Sequence, residues 1–358
     1  MIRFFSLFVL YAISISSLPA QTTKSFIYGN WVKYKIRMED GSKPIKPEFH
    51  DSTYVAFRLT KTGDSISVCK NFIPIAKQNK ANCMAAVLND SILKISNLAH
   101  YQLDYVSIDT LVFTFKVEGW TPAETPQFFM VNERLLIEKN RIKYKDSKSV
   151  TANPYFSPKI DLQPLYQDIR HSLYSYQGRF DCIGKLKINT HTKTVSCDLT
   201  DATIADSTTL RRFKKCLEKS YKYWNWEFMD NYDEIQIPFI YQHLKHPNYN
   251  IIYHQFHFFE STYAAIEKVN FVSFKSKQKA DEAFKKGIDA YKLKDFVSAI
   301  SYFKEAYEEN ETNIEPLYNV AAIYLEMGKN DKACEVWQQL IDLGQVEAEK
   351  LKKEYCKT

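Results

Sequence analysis

Residues 284–306, FKKGIDAYKLKDFVSAISYFKEA, and residues 318–340, YNVAAIYLEMGKNDKACEVWQQL, decide how this chain ends. Laid over one another, the two stretches are offset by 34 residues. Gly287, Ala290, Ala299 and Phe303 fall on Ala321, Tyr324, Ala333 and Trp337, and Ala306 falls on Leu340. Apolar residues recur three and four apart, the spacing of a helix with one buried face. Small side chains at fixed places let two backbones approach where paired helices cross. The pattern predicts helices over 279–292, 296–309, 315–327 and 331–343, with 346–355 as a capping helix. Leu293-Lys294-Asp295 and Gly328-Lys329-Asn330 make the turns.

A 34-residue period of this kind resembles the tetratricopeptide repeat. The resemblance covers 277–358 and implies an all-α array of helical hairpins. Two repeats are fewer than the roughly three needed for independent stability, so the array is expected to dock on the preceding domain or another chain. The resemblance also implies a concave groove lined by the first helix of each repeat. Phe284, Ile288, Tyr291, Tyr318, Ala322 and Leu325 would there face a protein or peptide partner.

Working towards the N-terminus, residues 155–275 read as an α+β domain. Leu162, Leu165, Ile169 and Leu173 stand at helical spacing. A strand over 178–189, a turn at 190–193 and a second strand from Thr194 follow. Thr208 or Thr209 can cap a helix whose face is Leu210, Phe213, Leu217 and Tyr221. The Trp-rich run at 224–228 then leads to a last strand over 235–241. This order resembles the C-terminal domain of TonB-type energy transducers, with Tyr166, Gly178, Val195, Leu210, Trp224 or Trp226, Phe228 and Pro238 in corresponding places. The usual Asp-Gly turn is missing, and Cys182, Cys197 and Cys216 are foreign to the pattern. The resemblance implies the fold and a peptide-binding habit. With no long Pro-rich linker in the chain, it argues against proton-driven transduction. Ile237, Phe239, Ile240 and Tyr241 are expected on a sheet edge able to accept an extended peptide as an added strand.

Residues 22–150 read as β, with short alternating strands between turn signals such as Lys61-Thr62-Gly63-Asp64. Leu135 to Lys139 and Arg141 to Tyr144 are included among those strands, and no helix is expected. Gly29-Asn30-Trp31 and the run from Leu93 to Val112 resemble lipocalin-like domains, implying a small up-and-down barrel. Such a barrel either holds an apolar ligand or is filled with side chains. The fold class is therefore multi-domain: a lipocalin-like all-β barrel, a TonB C-terminal-like α+β domain and tetratricopeptide hairpins.

At the start, Arg3 precedes an apolar run from Phe4 to Leu18, and Leu18-Pro19-Ala20 reads as a cleavage site. Residues 1–20 are read as a secretory signal, too short to span a bilayer. No later segment is apolar enough to be a transmembrane anchor.

Composition removes several classes. Only nine glycines occur in 358 residues, and their spacing cannot write a dinucleotide fingerprint, a nucleophile elbow or a P-loop. A net charge of +6 is too mild for a dedicated nucleic-acid binder. The seven cysteines contain no C-x-x-C pair, and one or two disulfides among mostly buried thiols are expected. His243, His246, His254 and His257 have metal-ligand spacing, but a strand would put His254 and His257 on opposite faces. No metal, cofactor or enzymatic activity is expected. The sequence reads as an exported scaffold in the periplasm or outer-membrane periphery of a Gram-negative bacterium. Its partners would be envelope proteins or peptides, an outer-membrane protein among them. The alternative is a carrier of small apolar ligands using the barrel.

Overall fold

The computed structural model describes residues 26–46, 49, 54–71, 73–76, 83–176, 178–203, 207–226, 228–245, 252–261 and 274–356. The segment read as a signal, 1–20, and His246 lie outside them.

Eight antiparallel strands form the N-terminal part: β1 (Gly29–Met38), β2 (Ala56–Thr62), β3 (Ser65–Asn71), β4 (Cys83–Asn89), β5 (Ile92–Lys94), β6 (Ala99–Val106), β7 (Thr110–Val117) and β8 (Pro126–Asn132). Each pairs with the next, and β8 returns to β1, so the sheet closes into a barrel. Closure removes the unpaired strand edges that an open sheet must protect. Alternation sends Trp31, Phe57, Tyr101, Phe113 and Phe128 inward, where Phe57, Phe113 and Phe128 stand 5.0–5.8 Å apart. The Trp31 indole donates to the Ile27 carbonyl at 2.8 Å, which satisfies its one polar atom in the core.

The segment expected as two further strands is instead a helix, α1 (Glu133–Lys143). The Asn132 side chain accepts from the Arg134 amide, and Glu133 opens the helix while Arg141 and Lys143 close it. Cap and charges both favour the helical state.

The middle part contains β9 (Ser149–Thr151), β10 (Lys159–Ile160), α2 (Leu162–Ser172), β11 (Gly178–Asn189), β12 (Thr194–Ala202), α3 (Ser207–Glu218), β13 (Trp224–Asn225), β14 (Glu234–Lys245) and β15 (Ile252–Phe258). The main sheet runs β12-β11-β14-β15, and β9 pairs in parallel with the start of β14. Leu165 and Ile169 of α2 and Phe213 and Leu217 of α3 share its core with Phe180, Leu186 and Phe239. Gly184 sits at a bulge where an added Cβ would lie 2.8 Å from both Leu199 and Phe239, so only glycine fits.

The edge expectation for 237–241 is overturned. β14 is bonded to β11 along its whole length and to β15 from Phe239 onward. Pro238 explains how an apparent edge strand sits inside. β9 ends its pairing at Gln236 and β15 begins at Phe239. The Pro238 carbonyl, on the side of its missing N–H, accepts from the Phe259 amide at 2.7 Å. The imide nitrogen thus meets the gap between two neighbouring strands and costs no ladder bond.

Five helices end the chain: α4 (Phe274–Lys292), α5 (Phe296–Glu309), α6 (Glu315–Glu326), α7 (Asn330–Asp342) and α8 (Val346–Tyr355). They pair as hairpins around Phe303, Ala321, Ala333 and Trp337. A Cβ on Gly287 would come within 2.8 Å of the Phe303 ring, so the first crossing requires its absence.

The array docks on the barrel. The Lys43 amide donates to the Gly344 carbonyl at 3.1 Å, and the Gln345 side chain donates to the Lys43 carbonyl at 3.3 Å. The Ser42 hydroxyl accepts from the Val346 amide at 3.1 Å and bonds Asp40, so a barrel turn caps α8 from 304 residues away. Two disulfides, Cys69–Cys83 and Cys334–Cys356, tie β3 to β4 and α7 to the end of α8. Cys182, Cys197 and Cys216 are free and buried.

Candidate protein-binding surface

The first helices of the two hairpins, α4 and α6, carry the six residues expected to line a groove, and the structure divides them. Phe284 packs edge-on against Phe303 at 5.3 Å, and Ile288 and Leu325 lean half-buried on the same core. Tyr318 is taken up within the array: its phenol oxygen is hydrogen-bonded by the Ala348 backbone of α8. Burial first, then the nearby Glu347 and Asp40, push that phenol up to about 12. Tyr291 and Ala322 remain exposed. The Tyr291 hydroxyl donates to the Glu326 carboxylate at 2.9 Å, so the two first helices are bridged across the open face. That carboxylate raises the Tyr291 phenol above its ordinary value.

Beside Tyr291 lies a feature that periodicity does not flag. Leu293 is 81% exposed and Val297 72%, at the tip joining α4 to α5, and the Phe296 ring stands 6.0 Å from Tyr291. Asp295 caps α5 by accepting from the Ser298 amide at 3.2 Å, and Lys294 takes a left-handed φ of 60° in the turn. The tip is therefore held in one shape while presenting apolar side chains to solvent. Turn positions are normally polar, and Leu293 stands out there as an aliphatic residue, with Val297 following in the first turn of α5.

The other expected sites fare differently. Ile237, Phe239, Ile240 and Tyr241 are fully buried inside the sheet and offer nothing to a peptide. His243 stands opposite His254 across β14 and β15, whereas His257 turns away and meets the Gln242 side chain at 2.9 Å. Among the described residues, no three of His, Cys, Asp and Glu gather as metal ligands would. The barrel is filled, which corrects the carrier alternative. Its residual cavity is about 10 Å³, lined by Phe57, Leu93, Tyr101, Leu111 and Phe113 among others, room for one water at most. The Lys70 ammonium lies 5.2–5.6 Å from the Phe57, Tyr101 and Phe115 rings, and burial lowers its pKa. The barrel's own lysine occupies the aromatic pocket that a ligand would use.

The tetratricopeptide repeat family model matches residues 290–351. The Hsp70-Hsp90 organizing protein of Triticum aestivum is 40% identical over 58 residues, 16% of this chain and 10% of that protein. Hsp70-Hsp90 organizing protein 1 of Arabidopsis thaliana is 41% identical over a stretch of the same length and the same shares. The chain thus spans about a tenth of the length of these curated relatives. The C-terminal array is a tetratricopeptide array. No helix among the described residues is long and apolar enough to cross a membrane.

Proposed function

We propose that this protein is an exported, non-enzymatic scaffold that binds an envelope protein or peptide through its tetratricopeptide array. The observation that carries the reading is the open side of the array: Tyr291, Leu293 and Val297 on the first hairpin and Ala322 on the second are exposed, while the other end of the array is already occupied by the barrel. Exposed aliphatic and aromatic side chains on a rigid helical frame are what a partner's apolar anchors need. Export is supported by the apolar run at 4–18 and by two disulfides, which persist in oxidising compartments. The TonB-like and lipocalin-like resemblances are kept as readings of fold alone.

The test is site-specific photo-crosslinking in cells. A photoreactive residue at Ala322 or Val297 should capture a discrete partner from the envelope fraction, while one at the exposed Ile142 of α1 should not. Equal labelling from all three positions, or none from the array, would defeat the proposal.

A further inference from the structure

The outer side of α1 takes no part in the contacts described so far. The helix buries none of its residues fully. Its inner side leans on the body of the protein: Ile137 and Tyr144 touch the middle core, and the Asn140 carbonyl oxygen accepts from the Asn153 side chain at 3.3 Å. Leu135 and Ile142 lie seven residues apart, two helical turns, and so share the opposite side. They are 41% and 75% exposed. Ile108, 66% exposed, adds a third aliphatic beside the helix N-terminus. The Asn132 side chain donates to the Ile108 carbonyl at 3.2 Å and the Asn132 amide to the Asp109 carbonyl at 3.0 Å, which pins the β6–β7 turn there.

Single exposed aliphatics are ordinary on a protein surface, and here their setting decides. Lys139 stands on the same side as Leu135 and Ile142, and Lys143 and Lys145 follow, all exposed. Two of the nearby acids are already paired. Glu138 meets Arg141 at 2.9 Å, and Glu133 meets Lys159 at 3.4 Å and the Asn30 side chain at 2.9 Å. Asp109 and Asp146 are left against Arg134, Lys139, Lys143 and Lys145, a basic excess around an apolar line. Lysine stems can lie along such a line while their ammonium groups stay in the polar layer.

We propose that this face docks on an anionic lipid surface, with α1 lying in the plane of the headgroups and Ile108, Leu135 and Ile142 reaching past them. Leu135 and Ile142 are about 10 Å apart along the helix, with a lysine between them. A protein partner calls for clustered anchors around one desolvated pocket. A bilayer instead meets each apolar side chain separately, and its phosphates pair with the cations between. The array takes no part in this contact, so the protein capture expected there stands or falls independently.

The experiment uses the full chain with Ile142→Cys carrying a polarity-sensitive fluorophore on the new thiol. The three native free thiols are buried, so a polar reagent reaches the introduced one. A label at Leu293→Cys, on the array tip, is the control that separates this face from binding through residues 4–18, and circular dichroism checks each folding. Vesicles made of equal parts phosphatidylcholine and phosphatidylglycerol should shift the emission at 142 to the blue. Vesicles of phosphatidylcholine alone should not, and the label at 293 should respond to neither. In the 142-labelled chain, Lys139→Gln with Lys143→Gln should weaken binding to the mixed vesicles by about fivefold for each lysine, about thirtyfold together. Both substitutions are at exposed positions on the helix and preserve its length and inner side. The proposal is overturned if the 142 label ignores the mixed vesicles, if it responds equally to phosphatidylcholine alone, or if the double lysine variant binds as tightly as its parent. A 142 label that ignores vesicles but responds to a lipid-free envelope protein extract would assign the face to a protein and overturn the proposal as well.

Discussion

The barrel and the helical array solve the burial problem in opposite ways. The barrel closes β8 onto β1, turns its large side chains inward and uses Lys70 to cover its aromatic pocket. Its closed sheet leaves no unpaired edge along β1 to β8. A stack of two hairpins has two ends to cover. One end is finished by α8 and the Ser42 turn of the barrel, and the other leaves Leu293 and Val297 in solvent. The part that cannot close on itself leaves apolar side chains in solvent at its open end.

The comparison breaks most readily in the barrel core. Phe113→Ala should cost about 3 to 5 kcal/mol, because the ring lies among Phe57, Tyr101 and Phe128 with no space to relax into. Chemical denaturation measures this, and a loss below about 1 kcal/mol would mean a loosely filled barrel. Next in size is the Cys334–Cys356 bridge, whose loss by Cys356→Ser should destabilise the array by about 3 kcal/mol given its 22-residue span. Limited proteolysis should then cut within α8 first.

A pH effect of about 2 kcal/mol comes from His254, allowing for its partial exposure. Its folded pKa of about 4 lies below the ordinary 6.5, so the unfolded chain binds the proton more readily. The His254 contribution should therefore be level above pH 6.5 and fall as pH drops towards 4. Melting curves of His254→Gln should show a shallower slope, with part of it left by His257, whose pKa burial also lowers. Smaller still is Ser42→Ala, which removes the cap on α8 and should cost about 1 kcal/mol. Hydrogen exchange at Val346 should then rise while the barrel strands stay protected.

Much of this architecture can be read along the chain, and the misreadings have local causes. The 34-residue offset places Gly287 and Phe303 at a crossing so close that a Cβ on Gly287 would come within 2.8 Å of the Phe303 ring. Leu135-Leu136-Ile137 invited a strand, yet Asn132 ahead of Glu133, with Arg141 and Lys143 behind, was a legible helix signature. Residues 235–241 read as the closing strand and so as an edge, but β9 covers β14 up to Gln236 and β15 covers it from Phe239, leaving only Ile237 and Pro238 in the gap. The Ser42–Val346 cap was not legible at all. Nothing in a turn of Asp40, Gly41 and Ser42 announces a helix three hundred residues later. The candidate binding face was partly legible: Tyr291 and Ala322 follow from the repeat, whereas Leu293 and Val297 are visible only once the tip is seen to be uncovered.

The central claim is that the open face of the first hairpin binds a protein partner. The most direct measurement is affinity capture from envelope extracts by the full chain and by a Leu293→Glu/Val297→Glu double variant. Both substitutions are at exposed positions and should change stability by no more than about 0.5 kcal/mol each. The account predicts that the double variant, folded and carrying an intact barrel, loses the partner retained by the unaltered chain. Capture of the same partner at the same level by both would contradict it.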